Sequence, residues 1–141
     1  MIKLTTTQAK AVACKIRERI LDHNAKVRKQ LEEDYKNSDD YKNKRREIHE
    51  MVVTIWQVQL KTGMHYGITN RHYSTQHMYN EDDLKKTEEN LCFDIAKQYV
   101  DDHDTTQYPP SEDSLVTDLI FESLTSEGIE ELMNKFIEPY L

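Results

Sequence analysis

The sequence predicts an all-α protein, a single-domain bundle of four to five helices. The chain has only three glycines and three prolines in 141 residues, fewer turn-forming residues than an all-β chain of this length needs. Apolar residues recur every three or four positions, as they do on one face of a helix. A 37% apolar content is enough for one core, so we expect residues 1–141 to form one helical domain.

The first predicted helix covers residues 6–36. Thr5 and Gln8 have the spacing of a capping box at its start. Apolar side chains follow at four-residue intervals, first at Val12, Ile16 and Ile20 and later at Val27, Leu31 and Tyr35. A helix of this length is about 46 Å long, whereas a compact domain of this size has a radius of gyration of about 14 Å. We therefore expect the helix to protrude or to break, with the break at residues 22–24, where the apolar pattern lapses.

The second predicted helix runs from about residue 39 to 61, between a turn and N-terminal cap at residues 37–40 and a stop at Gly63. Its first half is polar and basic, whereas residues 51–60 are apolar around most of the circumference. Such a segment is typical of a central, buried helix. Because only a short turn separates it from the first helix, we expect the two to form a long N-terminal helical hairpin.

Residues 64–79 show no helical or strand period and predict an irregular loop rich in histidine and tyrosine. Two short strands that turn at Thr69-Asn70 are the alternative within this loop. The third helix is expected to begin after Asn80 and to end near Val100, because acidic residues fill its first turn.

The last part of the chain predicts an acidic loop over residues 101–110 and two further helices. Ser111 caps the fourth helix, whose core residues are expected to be Leu115, Leu119 and Leu124. A fifth helix begins after Ser126 and ends at Pro139.

Charge is distributed unevenly along the chain. Residues 1–62 contain 14 Lys/Arg and 9 Asp/Glu, a net charge of +5, whereas residues 63–141 contain 5 and 17, a net charge of −12. The simplest interpretation is that the basic and acidic halves attract each other in the fold or are merely solvated. The functional interpretations are a basic face for an anionic partner or an acidic face for a cationic one.

Motifs of catalysis are absent from the sequence. The three glycines fit neither phosphate-binding spacing, and there is no Cys-x-x-Cys pair. Val53 stands where a zinc-protease helix that includes His49 needs its second histidine. We therefore expect a non-enzymatic protein that needs no cofactor.

The composition also bears on location. No stretch approaches the ~20 apolar residues of a membrane span, and two cysteines, Cys14 and Cys92, are too few for a disulfide framework. We expect no membrane association and a cytoplasmic location, in the host cytoplasm if the protein is viral. The excess of 13 lysines over 6 arginines is typical of small phage proteins.

The histidine-rich loop supports one weak alternative, a metal site formed by His65, His72 and His77. The last two have the spacing found in structural zinc sites. The simpler interpretation is that all three are solvated polar residues of the loop.

The main alternative to the leading hypothesis below is a nucleic-acid-binding module on the basic hairpin. The residues that would contact phosphates are Arg28, Lys29, Lys42, Lys44, Arg45 and Arg46. Acidic residues at 32–34 and 39–40 crowd the same turn and would repel phosphate.

The leading hypothesis is that this small acidic helical protein binds another protein, as an inhibitor or an assembly component of phage-like origin. Its acidic surface would occupy a basic groove, for instance on a nucleic-acid-binding protein. The residues expected to make this contact are Asp82, Asp83, Glu88 and Glu89. A protruding first helix would leave apolar surface uncovered, so we also expect the chain to form homo-oligomers.

Overall fold

The computed structural model describes residues 2–69 and 75–141. Within them lie five α-helices, a two-stranded antiparallel sheet and a final 3₁₀ turn. The elements are α1 (Thr6–Lys36), α2 (Asp39–Thr62), β1 (Gly67–Ile68), β2 (Gln76–His77), α3 (Glu81–His103), α4 (Glu112–Glu122), α5 (Ile129–Ile137) and the turn Glu138–Tyr140. The all-α prediction is confirmed. None of the helices in these residues is both long enough and apolar enough to cross a membrane.

The helix ends follow from capping side chains that satisfy backbone N–H groups without an intrahelical partner. Each capping oxygen accepts a hydrogen bond of 3.1–3.2 Å from the backbone N–H three residues later, and the four caps are Thr5, Ser38, Asn80 and Ser111. Gly63 ends α2 in the left-handed conformation, with φ of 71°. The predicted starts of four helices and the stop of α2 are therefore confirmed.

The expected break in α1 is absent, because the helix is continuous from Thr6 to Lys36. The apolar pattern lapses at residues 22–24 because a polar residue takes the inward position there. Asn24 lies four residues after the buried Ile20 and is itself buried. Its amide Nδ2 donates to the backbone oxygen of Gln107 at 2.8 Å. A buried polar side chain, whose Nδ2 is hydrogen-bonded and whose Oδ1 has no partner among the described residues, thus continues the buried stripe without breaking the helix.

Two compact units divide the chain. The terminal unit combines Met1–Arg28 with Thr105–Leu141, and the central unit is Lys29–Asp104. The helix α1 contributes residues to both units. This division does not coincide with the change of charge at residue 62, and the expectation of one domain stays a prediction.

The core of the terminal unit joins the first part of α1 to α4 and α5. Its largest fully buried side chains include Ile16, Ile20, Leu115, Leu119 and Leu132. The N-terminal segment contacts the turn after α4, because Ile2 N donates to Ser126 O at 3.1 Å and Leu4 N to Ser123 Oγ at 3.4 Å. Leu124 was expected in this core but lies beyond the end of α4 and is exposed.

The central unit is built on the packing of α2 against α3. Its buried residues form two clusters, one of Val52, Met78 and Leu91 and the other of Tyr35, Tyr41 and Ala96. The two short strands that the loop allowed are present, with Gly67 paired to His77 and Ile68 to Gln76, whereas the predicted turn at Thr69-Asn70 lies partly outside the described residues. The helix α3 continues to His103, beyond the predicted end at Val100.

The second half of α2 is less buried than its composition predicts. Val52 and Gln59 are buried, whereas Met51, Val58 and Leu60 are exposed. The expectation of a central helix is wrong for this segment because one side of α2 packs against the rest of the unit and the other does not. The second half of α2 therefore exposes apolar side chains on the side that is not packed.

Candidate functional site

The terminal unit brings the basic and the acidic ends of the chain together. Residues 1–28 contain seven Lys/Arg and two Asp/Glu, and residues 105–141 contain one and eight, so the segments carry net charges of +5 and −7. The Arg19 guanidinium lies 3.7 Å from a carboxylate oxygen of Glu130. Arg17 donates to the backbone oxygen of Pro110. Much of the charge asymmetry along the sequence is therefore balanced within this unit.

Two of the four acidic residues assigned to partner binding on α3 have intramolecular partners. The Asp83 carboxylate caps α3 by accepting from the backbone N–H groups of Tyr79, at 2.7 Å, and Asn80, at 3.2 Å. The Glu88 carboxylate lies 2.9 Å from Nδ1 of His49 on α2. Both carboxylates therefore have structural contacts that a partner protein would have to replace.

The other two, Asp82 and Glu89, are exposed on α3. Lys85 and Lys86 lie three or four residues from each of them, the spacing at which helical side chains are neighbours. The negative potential of this face is therefore reduced by two positive charges. Partner binding by the α3 acids stays a prediction.

The basic residues assigned to nucleic acid do not all belong to one unit. Arg28 is part of the terminal unit, and Lys29 begins the central unit. Lys42 and Arg46 are exposed one turn apart on α2. The structure therefore does not assemble the six residues into one described site.

The remaining two basic residues have neighbours in the central unit. The Lys44 ammonium lies 3.5 Å from Asp40, and the nearby Tyr35 hydroxyl and this carboxylate raise the pKa of the amine. Arg45 lies beside the Cys92 thiol, whose pKa is raised by burial and partly lowered again by the guanidinium. Nucleic-acid binding stays a prediction. The Asp40 carboxylate beside Lys44 would repel a phosphate at that position.

The histidine cluster is only partly within the described residues, because His72 lies outside them. The rings of His65 and His77 contact the ring of Tyr79, with centroids 5.1 and 6.1 Å away. In the described part of the chain, no three His, Cys, Asp or Glu side chains are grouped closely enough to hold a metal ion. The metal site that includes His72 stays a prediction.

The outer face of α4 was not singled out by the sequence. Phe121 on this helix exposes 74% of its surface and Leu124, just beyond its end, 48%. Leu115 and Leu119 are buried on the opposite side of the helix. The sequence does carry a signal for this exposure. Phe121 follows Leu119 by two residues, which places the two about 200° apart around a helix.

Acidic residues accompany these exposed apolar side chains. Asp113 and Asp118 are exposed on α4, and neither carboxylate has an intramolecular partner among the described residues. The one lysine of residues 105–141, Lys135, is paired with Glu122. We call Asp113, Asp118, Phe121 and Leu124 the α4 surface.

The α4 surface therefore combines exposed apolar area with carboxylates that have no positive neighbour on the same helix. Such an arrangement can bind a surface that is both apolar and basic. No family model, no curated protein and no solved structure matches the chain.

Proposed function

We propose that the protein acts by binding another protein through the α4 surface, without a catalytic role. The observation that supports the proposal most strongly is the 74% exposure of Phe121 on a helix where two acidic residues, Asp113 and Asp118, have no partner among the described residues. An exposed phenylalanine costs solubility when it has no partner, and large aromatic side chains contribute strongly to protein interfaces. We propose that such a protein acts in the cytoplasm, either as an inhibitor or as an assembly component.

The chemistry of the α4 surface defines the partner. Phe121 and Leu124 need an apolar pocket or helix face, and the carboxylates of Asp113 and Asp118 need lysine or arginine beside it. A second copy of the chain, which contains seven Lys/Arg within residues 1–28, is one partner of this chemistry. We place the partner-binding surface on α4 and not on α3, because the acidic residues of α3 have intramolecular partners or lysine neighbours.

The first experiment compares Phe121→Ser with Leu60→Ser. Both residues are exposed apolar side chains, at 74% and 67%, and they lie on different helices of different units. Tagged variants are used to capture proteins from a lysate of the source cells, with and without nuclease. We expect one protein to be retained by the wild type and by Leu60→Ser after nuclease treatment, and to bind Phe121→Ser at least about tenfold more weakly, as for an interface hot spot.

Two further variants separate the surfaces. Asp118→Lys reverses a charge on the α4 surface, and Asp82→Lys makes the same reversal on α3. Loss of the partner only with Asp118→Lys supports the proposal. Loss only with Asp82→Lys would move the binding surface to α3, and loss of all captured protein on nuclease treatment would favour the nucleic-acid alternative.

A further inference from the structure

A small pocket lies at the end of α3 in the central unit. Its volume is about 210 Å³, and its lining includes Tyr35, Lys44, Tyr99, Asp102 and His103. The side chains come from α1, α2 and α3. We call it the α3-end pocket, and Lys44, in the nucleic-acid alternative, is the one lining residue named here to which a function was assigned above.

Three aromatic rings form one wall of this pocket. Tyr35 stacks on Tyr99 with ring centroids 4.0 Å apart and planes 5° apart. Tyr99 stacks in turn on His103, again at 4.0 Å, with planes 21° apart. Both faces of the Tyr99 ring are therefore covered, and the imidazole at the end of the stack is exposed. No second ring from the described residues contacts this imidazole, so one of its faces can receive a flat ligand.

A hydrogen bond determines the tautomer of His103. Its Nδ1 lies 2.9 Å from the backbone oxygen of Tyr99, which can only accept, so Nδ1 carries the proton. In the neutral ring, Nε2 is then an acceptor. A ligand that donates hydrogen bonds suits this edge of the pocket.

The charges around the pocket favour a cation. Asp102 is exposed, and its carboxylate has no hydrogen bond or ion pair within the described residues. It lies in the last turn of α3, where the helix dipole also attracts positive charge. Lys44 is the opposing charge, but its ammonium lies 3.5 Å from Asp40, which offsets it.

The size of the pocket limits the ligand. Pockets for drug-sized ligands begin near 300 Å³, so a nucleotide is too large. One long side chain or a comparably small molecule fits.

We propose that the α3-end pocket binds a guanidinium group. The flat cation would stack on the open face of His103 and donate to the carboxylate of Asp102. Guanidinium suits such a site better than ammonium because it is planar, stacks on aromatic rings and pairs with carboxylates through two parallel hydrogen bonds. The group has two sources, an arginine side chain of another protein and a free arginine-like molecule.

The test follows the His103 ring signals by NMR during titration with methylguanidinium at constant ionic strength. We expect saturable shifts, with a dissociation constant on the order of 10 mM for so small a ligand. Urea, which is planar but neutral, is the matched ligand and should produce no saturable shift. Asp102→Asn should weaken methylguanidinium binding by at least about tenfold. Asp82→Asn removes the same charge from the other end of α3 and should leave the binding unchanged.

A second pair of ligands distinguishes the sources. Tighter binding of an arginine tripeptide with blocked termini than of free arginine would identify a protein side chain as the source, and the reverse order would identify a small molecule. Either order supports a guanidinium site. The proposal is overturned if methylguanidinium produces no saturable shift, if urea binds equally well, or if Asp102→Asn binds as the wild type does.

Discussion

Gln59 joins α2 to the segments on both sides of the β-hairpin, and its replacement by leucine is expected to destabilise the protein. The side chain is 4% exposed. Its Nε2 donates to the backbone oxygen of Met78 at 2.9 Å, and its Oε1 accepts from the backbone N–H of Tyr66 at 3.0 Å. One side chain thus satisfies a backbone donor and a backbone acceptor that the two-residue strands do not pair.

The expected loss follows from the burial of these two backbone groups. Met78 is fully buried, so its carbonyl has no water to replace the lost donor, a penalty of about 1–3 kcal/mol. Tyr66 is exposed, so its N–H can bond to water after the substitution. We therefore expect Gln59→Leu to lower the free energy of unfolding by about 2 kcal/mol, which corresponds to a Tm lower by about 4–8 °C.

Gln59→Glu adds a pH signature to this prediction. A protonated carboxyl can still donate to the Met78 oxygen, whereas an ionised one faces that oxygen without a proton. Burial and this contact would raise the pKa of the new carboxyl above the ordinary value of about 4.3. The folded state then binds more protons than the unfolded state, so the stability of the variant relative to wild type falls as pH rises from about 4 to 8.

Urea unfolding, followed by the fluorescence of Trp56, measures both effects. Trp56 is half-buried against the cluster of Val52, Met78 and Leu91, so its emission reports on the central unit. Gln57→Leu is the matched control, because Gln57 is exposed on the same helix. This role of Gln59 is refuted if Gln59→Leu lowers the free energy of unfolding no more than Gln57→Leu does. It is also refuted if the difference in unfolding free energy between Gln59→Glu and wild type does not change with pH.

Two more predictions concern the cysteines and the glycines. Cys14 is exposed, whereas Cys92 is 5% exposed and burial raises the pKa of its thiol. A thiol reagent at pH 8 should therefore modify Cys14 quickly and Cys92 only when the fold opens. Equally fast modification of both thiols would contradict the burial of Cys92. Gly63→Ala should cost about 1–2 kcal/mol in urea unfolding, because φ of 71° strains any residue with a Cβ atom. Gly128→Ala, at φ of −148° with equal space, should be nearly neutral, and equal costs would argue against the left-handed cap.

The helix boundaries were largely predictable because they depend on contacts within one turn. Thr5, Ser38, Asn80 and Ser111 each accept a hydrogen bond from the backbone N–H three residues later, and Gly63 provides the left-handed stop. These interactions need no distant residue, so the sequence contains all the information about them.

The candidate site was less predictable because it depends on which carboxylates already have hydrogen-bond or ion-pair partners within the protein. From the sequence alone, Asp82, Asp83 and Glu88 are equally good candidates for binding a partner. The structure shows that Asp83 caps its own helix and that Glu88 meets His49, which lies 39 residues earlier. Phe121 was missed because the exposure of a helix face depends on what packs against the opposite one.

The sequence by itself determined the all-α class, most helix ends and the uneven distribution of charge, since each follows from residue types or from spacing within a few residues. Tertiary structure decided that residues 1–28 pack with residues 105–141, which balances much of that charge inside one unit. It also decided what meets the inward-facing Asn24 of the continuous helix α1, since the side-chain amide donates to the carbonyl of Gln107, 83 residues away. Contacts across such separations depend on how whole helix faces cover one another, and no local pattern specifies them.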